Sequence, residues 1–246
     1  MFEAQTFRLH FETLNKDSSE LGLDKNQAHW IKRVLRKNDG DTFEALNGNG
    51  GVAQVRLNGN ACEVISFKQH TRKLCQMDFY IAMVALDKAK LIVEKLTEIG
   101  AASIHFVKSK RSNKILDEKK HKEKLEIKAI ESIKQCGNPY LPKIYMHKSL
   151  SMLLNETAAQ AYKFFLNENE IECYLSLPKL SSKESVIVSV GPEASWDRVE
   201  KQQFLDHGFE SVSLGPNVLR VETAAIVAAA QVLALSNVNN SPENKK

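Results

Sequence analysis

The stretch Leu214-Gly215-Pro216-Asn217-Val218-Leu219-Arg220-Val221-Glu222-Thr223, read with Gly191-Pro192-Glu193 ahead of it, decides the architecture of the larger part of this chain. Each turn directly follows a short apolar run, residues 211–214 in one case and 186–190 in the other. Apolar runs bounded by Gly and Pro read as buried strands. Two such strands ending side by side in Gly/Pro loops expose backbone N–H and C=O groups at one sheet edge. A nucleotide-like ligand can be held there with few side chains. The second loop also sets Arg220 at the mouth of an Ala-rich helix, where the macrodipole disfavours a cation. A ligand or substrate at that helix mouth accounts for the placement.

Upstream of these loops, strands alternate with helices. Residues 79–86 read as a strand, and Asp87 caps a helix running through Leu91, Ile92, Leu96 and Ile99 to a stop at Gly100. Residues 103–107 form the next strand, and a charged helix covers 119–135. Strands at 163–166, 186–190 and 211–214 follow, with helices at 195–207, opened by Ser195 and closed by Gly208, and at 221–235. This alternation predicts an α/β domain whose mostly parallel sheet carries helices on both faces.

The chain divides near residues 70–76. Before that point, residues 42–46 and 52–57 alternate apolar and polar side chains on either side of Asn47-Gly48-Asn49-Gly50-Gly51, a hairpin signal. Gly48-x-Gly50 is not a dinucleotide fingerprint, because no helix follows and the third glycine is missing. Residues 61–67 supply a third strand. Residues 26–37 form a short amphipathic helix with Trp30, Ile31, Val34 and Leu35 inward and His29, Lys32, Arg33 and Arg36 outward. The expected domains are a small β-barrel over 1–72, the α/β domain over 73–236 and a disordered polar tail over 237–246.

At 246 residues, with 43% hydrophobic and 26% charged residues, the composition is that of a globular protein, and the net charge of +4 says little about partners. Residues 108–128 hold nine basic against four acidic side chains, so the rest of the chain sums to about −1. Cys62, Cys75, Cys136 and Cys173 form no CxxC pair and no metal-ligand spacing; reduced thiols in a cytoplasmic protein, with no metal, are expected. Polar residues interrupt the first stretch, so no signal peptide is expected, and the apolar run at 224–235 is too short to span a bilayer.

One ordered set of motifs runs through nearly the whole chain: His29-x4-Val34-Leu35-Arg36, Lys95-x-Thr97-Glu98-x-Gly100, Lys110-Arg111-Ser112, Gln135-Cys136-Gly137, Gly191-Pro192-Glu193 and Leu214-Gly215-x3-Leu219-Arg220-x-Glu222-Thr223. In this order the set resembles the RsmE-type ribosomal RNA methyltransferases. The resemblance implies a PUA-like N-terminal β-barrel and a SPOUT domain with a deep trefoil knot, an exception to unthreaded topology. It also implies S-adenosylmethionine as cofactor, a homodimer, and methylation of uridine N3 in small-subunit ribosomal RNA. Two positions depart from the family pattern: Ala194-Ser195 replace two glycines after Gly-Pro-Glu, and Asn138 replaces an arginine.

The chemistry implied is specific. Uridine N3 is a weakly acidic imide and is not nucleophilic until its proton leaves. Arg220 is the candidate to hydrogen-bond the flanking carbonyl oxygens as charge develops, and Glu222 or Glu193 the candidate proton acceptor. Glu222 in a first helical turn has capping as a competing role. Cofactor contacts fall on Val190, Gly191, Glu193, Leu214, Gly215, Leu219 and Thr223. Ribosomal RNA, free or in the small subunit, would meet Arg8, His29, Lys32, Arg33, Arg36, Lys110 and Arg111. His105 reads as a satisfied core histidine and Trp196 as a packing residue. The competing reading is a non-catalytic RNA-binding assembly factor that keeps the fold, motivated by Ala194-Ser195 and Asn138.

Overall fold

The structure is a computed structural model and describes residues 7–112, 114–158, 160–170, 174–176, 180 and 183–237. Cys173 and the tail from residue 238 lie outside the described residues. The chain forms two compact units, residues 1–71 with 130–141, and residues 72–129 with 142–246.

In the first unit, strands β1 (Arg8–His10), β2 (Glu20–Gly22), β3 (Thr42–Leu46), β4 (Gly51–Asn58) and β5 (Ala61–Gln69) make one sheet in the order β1-β3-β4-β5-β2. The β1–β3 pair is parallel and the other ladders antiparallel. Strict alternation along β4 turns Ala53, Val55 and Leu57 onto one face. There they meet Leu9, Phe43, Ala45, Cys62 and Ile31, and the sheet curls around this core. The Asn-Gly segment is the hairpin turn: Asn47 Oδ1 accepts from the Asn49 and Gly51 amides, and Gly48 and Gly50 take positive φ of 75° and 90°.

The predicted amphipathic helix forms only in part. Asp24 and Gln27 make a capping box that starts α1 (Lys25–His29), after which the backbone widens into a π-turn over Trp30–Val34. The wider turn breaks the 3.6-residue phase, so Ile31 is buried while Val34 is turned outward, 61% exposed, against the inward position that helical spacing predicts.

The second unit is a six-stranded, wholly parallel sheet. Its strands are β6 (Gln76–Ala82), β7 (Ser103–Val107), β8 (Lys143–His147), β9 (Tyr162–Leu166), β10 (Ser185–Val190) and β11 (Glu210–Val212), in the order β11-β9-β10-β6-β7-β8. The strands ahead of the two Gly/Pro loops, β10 and β11, are therefore not neighbours. Strand β9 lies between them, with Val186 opposite Tyr162 on one side and Ser211 opposite Phe165 on the other. Helices α2 (Leu86–Ile99) and α6 (Val221–Asn237) pack on each other, and α6 on β6 and β10. Helices α4 (Leu150–Asn155) and α5 (Arg198–Asp206) bury Leu150, Leu153, Leu154 and Phe204 against Tyr80, Ala82, Phe165 and Ile187. The charged helix α3 (Glu118–Cys136) starts in this unit and ends in the first.

Two helix starts differ from expectation. Helix α2 begins at Leu86 after Ala85, which makes no side-chain cap bond, and Asp87 sits within its first turn instead of capping it. Helix α5 is capped by Asp197, whose carboxylate accepts from the Val199 and Glu200 amides while Glu200 reaches back, a capping box. Ser195 cannot cap it, because it lies ahead of the helix with φ +62°. Strand β8 and the short α4 were not foreseen. Gly100 closes α2 in the left-handed conformation at φ 99°, as expected of a helix-ending glycine.

Candidate active site

Although β10 and β11 are separated by one strand, their loops converge. A cavity of about 350 Å³ is walled by Val190, Gly191 and Glu193 of the first loop, by Leu214, Gly215 and Leu219 of the second, and by residues 166–168 after β9. All three loops leave the C-terminal ends of parallel strands, where α/β sheets bind ligands. The inserted strand supplies a third wall that sequence patterning did not reveal. Gly215 adopts φ 148°, open to glycine and strained for other residues. A side chain at Gly191 would meet the Trp196 indole at 3.1 Å, so the loop lies directly against that ring.

Six of the seven expected cofactor residues line this cavity; Thr223 does not. Val221 and Ala224 face inward at helical spacing, which rotates Thr223 to the exposed side of α6. The same rotation carries Glu222 away from the cavity and toward Lys88, whose Nζ lies 3.9 Å from Glu222 Oε2. Lys88 also forms an ion pair with Glu193. Its hydrogen bond and charge hold the Glu193 carboxyl below the usual range, while that hydrogen bond raises the Lys88 ammonium. Glu193 is thereby a poor proton acceptor. Only 13% of the Glu222 side chain is exposed, and its Oε2 is buried without a hydrogen-bond partner. Arg220 is exposed at the start of α6, its carbonyl accepting from the Ala224 amide at 2.8 Å, and its charge acts on both Lys88 and Glu193.

Lys110 and Arg111 turn out to anchor the cavity loop. The Lys110 ammonium pairs with Asp197 at 2.7 Å, its amide donates to Glu200, and Arg111 donates to the Ala194 carbonyl at 2.9 Å. Both side chains remain solvent-exposed, Lys110 at 68%, so these contacts leave them open to further partners. Within the first unit, His29, Lys32, Arg33 and Arg36 are all exposed, and Lys32 donates to Asn60. Arg8 differs from them: its guanidinium pairs with Glu44 at 2.7 Å and donates to the Gln135 carbonyl. Asn138, at the position of an expected arginine, accepts from the Tyr140 amide.

His105 is a satisfied interior histidine. Ser103 donates to Asp78 at 2.5 Å, so its hydroxyl accepts from His105 Nε2, leaving His105 Nδ1 to accept from His147. Burial, with His147 beside it, pushes its pKa down to about 3, and it stays neutral. Trp196 is 1% exposed and packs edge-on against Phe204. Among the described residues, no group of three or more His, Cys, Asp or Glu is placed to hold a metal, and no helix is long and apolar enough to cross a membrane.

The Ala194-Ser195 departure has a local cost. A serine at φ +62° is strained by about 1–3 kcal/mol, and its buried hydroxyl has no hydrogen-bond partner. Ser195→Gly should relieve both, offset in part by glycine's greater freedom in the unfolded chain. The net gain is about 1 kcal/mol, a rise in Tm of roughly 2–4 °C. Thermal denaturation checks this; a lower Tm would mean the hydroxyl has a partner that matters.

An RNA methyltransferase domain model matches residues 71–233, and an RNA methyltransferase PUA domain model matches residues 23–65. Among curated proteins, the chain is 28% identical over 219 residues to a ribosomal RNA small subunit methyltransferase E of Synechocystis, covering 85% of this chain and 71% of that one. It is 28% identical over 236 residues to the Bacillus subtilis protein of the same name, covering 88% and 91%. A solved Neisseria gonorrhoeae methyltransferase of that name, bound to S-adenosyl methionine, superposes with a TM-score of 0.84 at 22% identity, covering 94% of this chain and 98% of that one. That likeness fixes the architecture of a small curled sheet followed by a parallel α/β domain. With two-thirds of its length inside one family model and the accessory domain of that family ahead of it, the chain belongs to the RNA methyltransferase domain family.

Proposed function

We propose that this protein transfers a methyl group from S-adenosylmethionine to N3 of a uridine in small-subunit ribosomal RNA. The observation that carries the reading is the cavity at the ends of β9, β10 and β11, within an RNA methyltransferase domain. Its size suits a nucleotide-like molecule, and its walls offer main-chain groups of Val190, Gly191, Leu214, Gly215 and Leu219. Bound there, S-adenosylmethionine supplies an electrophilic methyl carbon. The chain's own residues supply the rest: Arg220 to hydrogen-bond the base carbonyls as negative charge develops, and Glu222, 3.9 Å from the Lys88 ammonium, to accept the N3 proton. Glu193 serves to hold Lys88.

The exposed cations His29, Lys32, Arg33 and Arg36 of the first unit are the proposed RNA contacts, acting on phosphates. The working form is proposed to be a homodimer in the cytoplasm, where ribosomal subunits are assembled. The test is nucleoside mass mapping of ribosomal RNA from cells lacking the protein, paired with calorimetry. A missing 3-methyluridine, restored by the purified protein and S-adenosylmethionine, is the expected result. An unchanged nucleoside profile with no heat of donor binding would leave an RNA-binding assembly factor instead.

A further inference from the structure

A second cavity, of about 290 Å³, lies against the first and shares Pro192 and Glu193 with it. Its floor is apolar, formed by Met83, Val84, Ala85 and Pro192, and Lys88, Arg111 and Lys114 stand on its wall; the Arg111 guanidinium is already donating to the Ala194 carbonyl. Lys88 is the third residue of α2, where the helix dipole disfavours a cation, as it does at Arg220 ahead of α6. Two cations set against two helix dipoles, both acting on Glu193, are a placement that folding alone does not favour.

We infer that this second cavity is the subsite for the methyl-accepting pyrimidine, and that Lys88 is a further catalytic residue, donating a hydrogen bond to a ring carbonyl of a uracil base. The inference rests on the methyltransferase reading above. The apolar floor offers van der Waals contact to a base ring, and the shared Pro192 and Glu193 set that ring beside the donor cavity. Three cations, Lys88, Arg111 and Lys114, line the cavity with Glu193, so it favours negative charge developing on a bound ring. The step served is a proton transfer. The N3–H bond breaks, its electron pair stays on nitrogen and spreads to the two carbonyl oxygens, and the proton forms an O–H bond with the Glu222 carboxylate. Net charge in the pocket is unchanged, so no uncompensated charge is created in a partly dry site. Glu222, once neutral, no longer competes for Lys88 from 3.9 Å, and the ammonium can turn its donors to the imide oxygens. The same cation selects the base: cytosine presents an amino group where uracil presents a carbonyl, and Lys88 can only donate.

The experiment compares wild type, Lys88→Ala and Lys88→Arg. Methyl transfer is measured on small ribosomal subunits from cells lacking the protein, across pH, and S-adenosylmethionine binding is measured by calorimetry. Lys88→Ala should bind the donor within about twofold of wild type and lose on the order of a hundredfold in turnover. Its residual rate should go on rising with pH after the wild-type rate has levelled, because imide ionisation is no longer assisted. Lys88→Arg, which keeps the charge and the donors, should recover a substantial part of the rate. Equal turnover in Lys88→Ala and wild type would overturn the inference, as would a parallel loss of donor affinity, which would make Lys88 a support for the Gly-Pro-Glu turn alone. A wild type that neither binds the donor nor transfers methyl would sink the methyltransferase reading itself, an outcome distinct from either.

Discussion

Methyl transfer by Arg220→Ala should fall by roughly a hundredfold while donor affinity stays close to wild type, because removing one preorganised hydrogen-bond donor from developing negative charge typically costs that much. The split follows from where the residue sits. Leu219 lines the donor cavity, but the Arg220 side chain projects from the next position and is exposed. Only the Arg220 carbonyl takes part in starting α6, through the Ala224 amide, and alanine preserves that bond. Stability should hold or rise by a few tenths of a kcal/mol, since the substitution removes a cation from the positively polarised end of a helix. Single-turnover rates with saturating donor, alongside calorimetry and a thermal melt, separate these quantities. Unchanged turnover would remove Arg220 from the mechanism; a matched loss of donor binding would reassign it to the cofactor.

What the sequence disclosed about this site was local, and what it withheld depended on distance along the chain. The apolar runs ahead of Gly191 and Gly215, the Asn-Gly hairpin and the glycine stop of α2 are each written in a few adjacent residues. Which strands pair is not. Strand β9 separates β10 from β11 because Val186 and Ser211 both find partners on it, a choice made by packing across tens of residues. Strand β8 escaped notice because it is an edge strand, with Lys143 and Tyr145 exposed, and so lacks the continuous apolar run of β6 or β10. Lys88 carried no signal of its own in the sequence, and its pairing with Glu193, 105 positions away, is what marks it as part of a site. The α5 start was legible and misread: Asp197-x-x-Glu200 is a capping-box pattern, whereas the positive φ of Ser195 leaves no trace in residue type.

Trp196→Ala should be the most destabilising single change near the site, at about 3–5 kcal/mol, with Tm lowered by roughly 10 °C. The indole is 1% exposed and meets the Phe204 ring edge-on at 4.9 Å; Phe204 in turn stacks on Phe165 at 5.2 Å and touches Phe209 at 5.0 Å. Removing it opens a void in the middle of that aromatic cluster and takes away the surface behind Gly191, so donor binding should be lost with the stability. The hydrogen-bond inventory sharpens the comparison with Trp196→Phe. Trp196 Nε1 is buried without a partner, so phenylalanine removes an unsatisfied donor while keeping most of the ring contacts. The phenylalanine variant should therefore cost less than about 1.5 kcal/mol and retain both donor binding and turnover. Thermal melts and calorimetry on the two variants distinguish packing from recognition. A phenylalanine variant that melts like wild type yet no longer binds S-adenosylmethionine would show that the indole N–H points at the ligand, and Trp196 would then belong to the cofactor site instead of the core behind it.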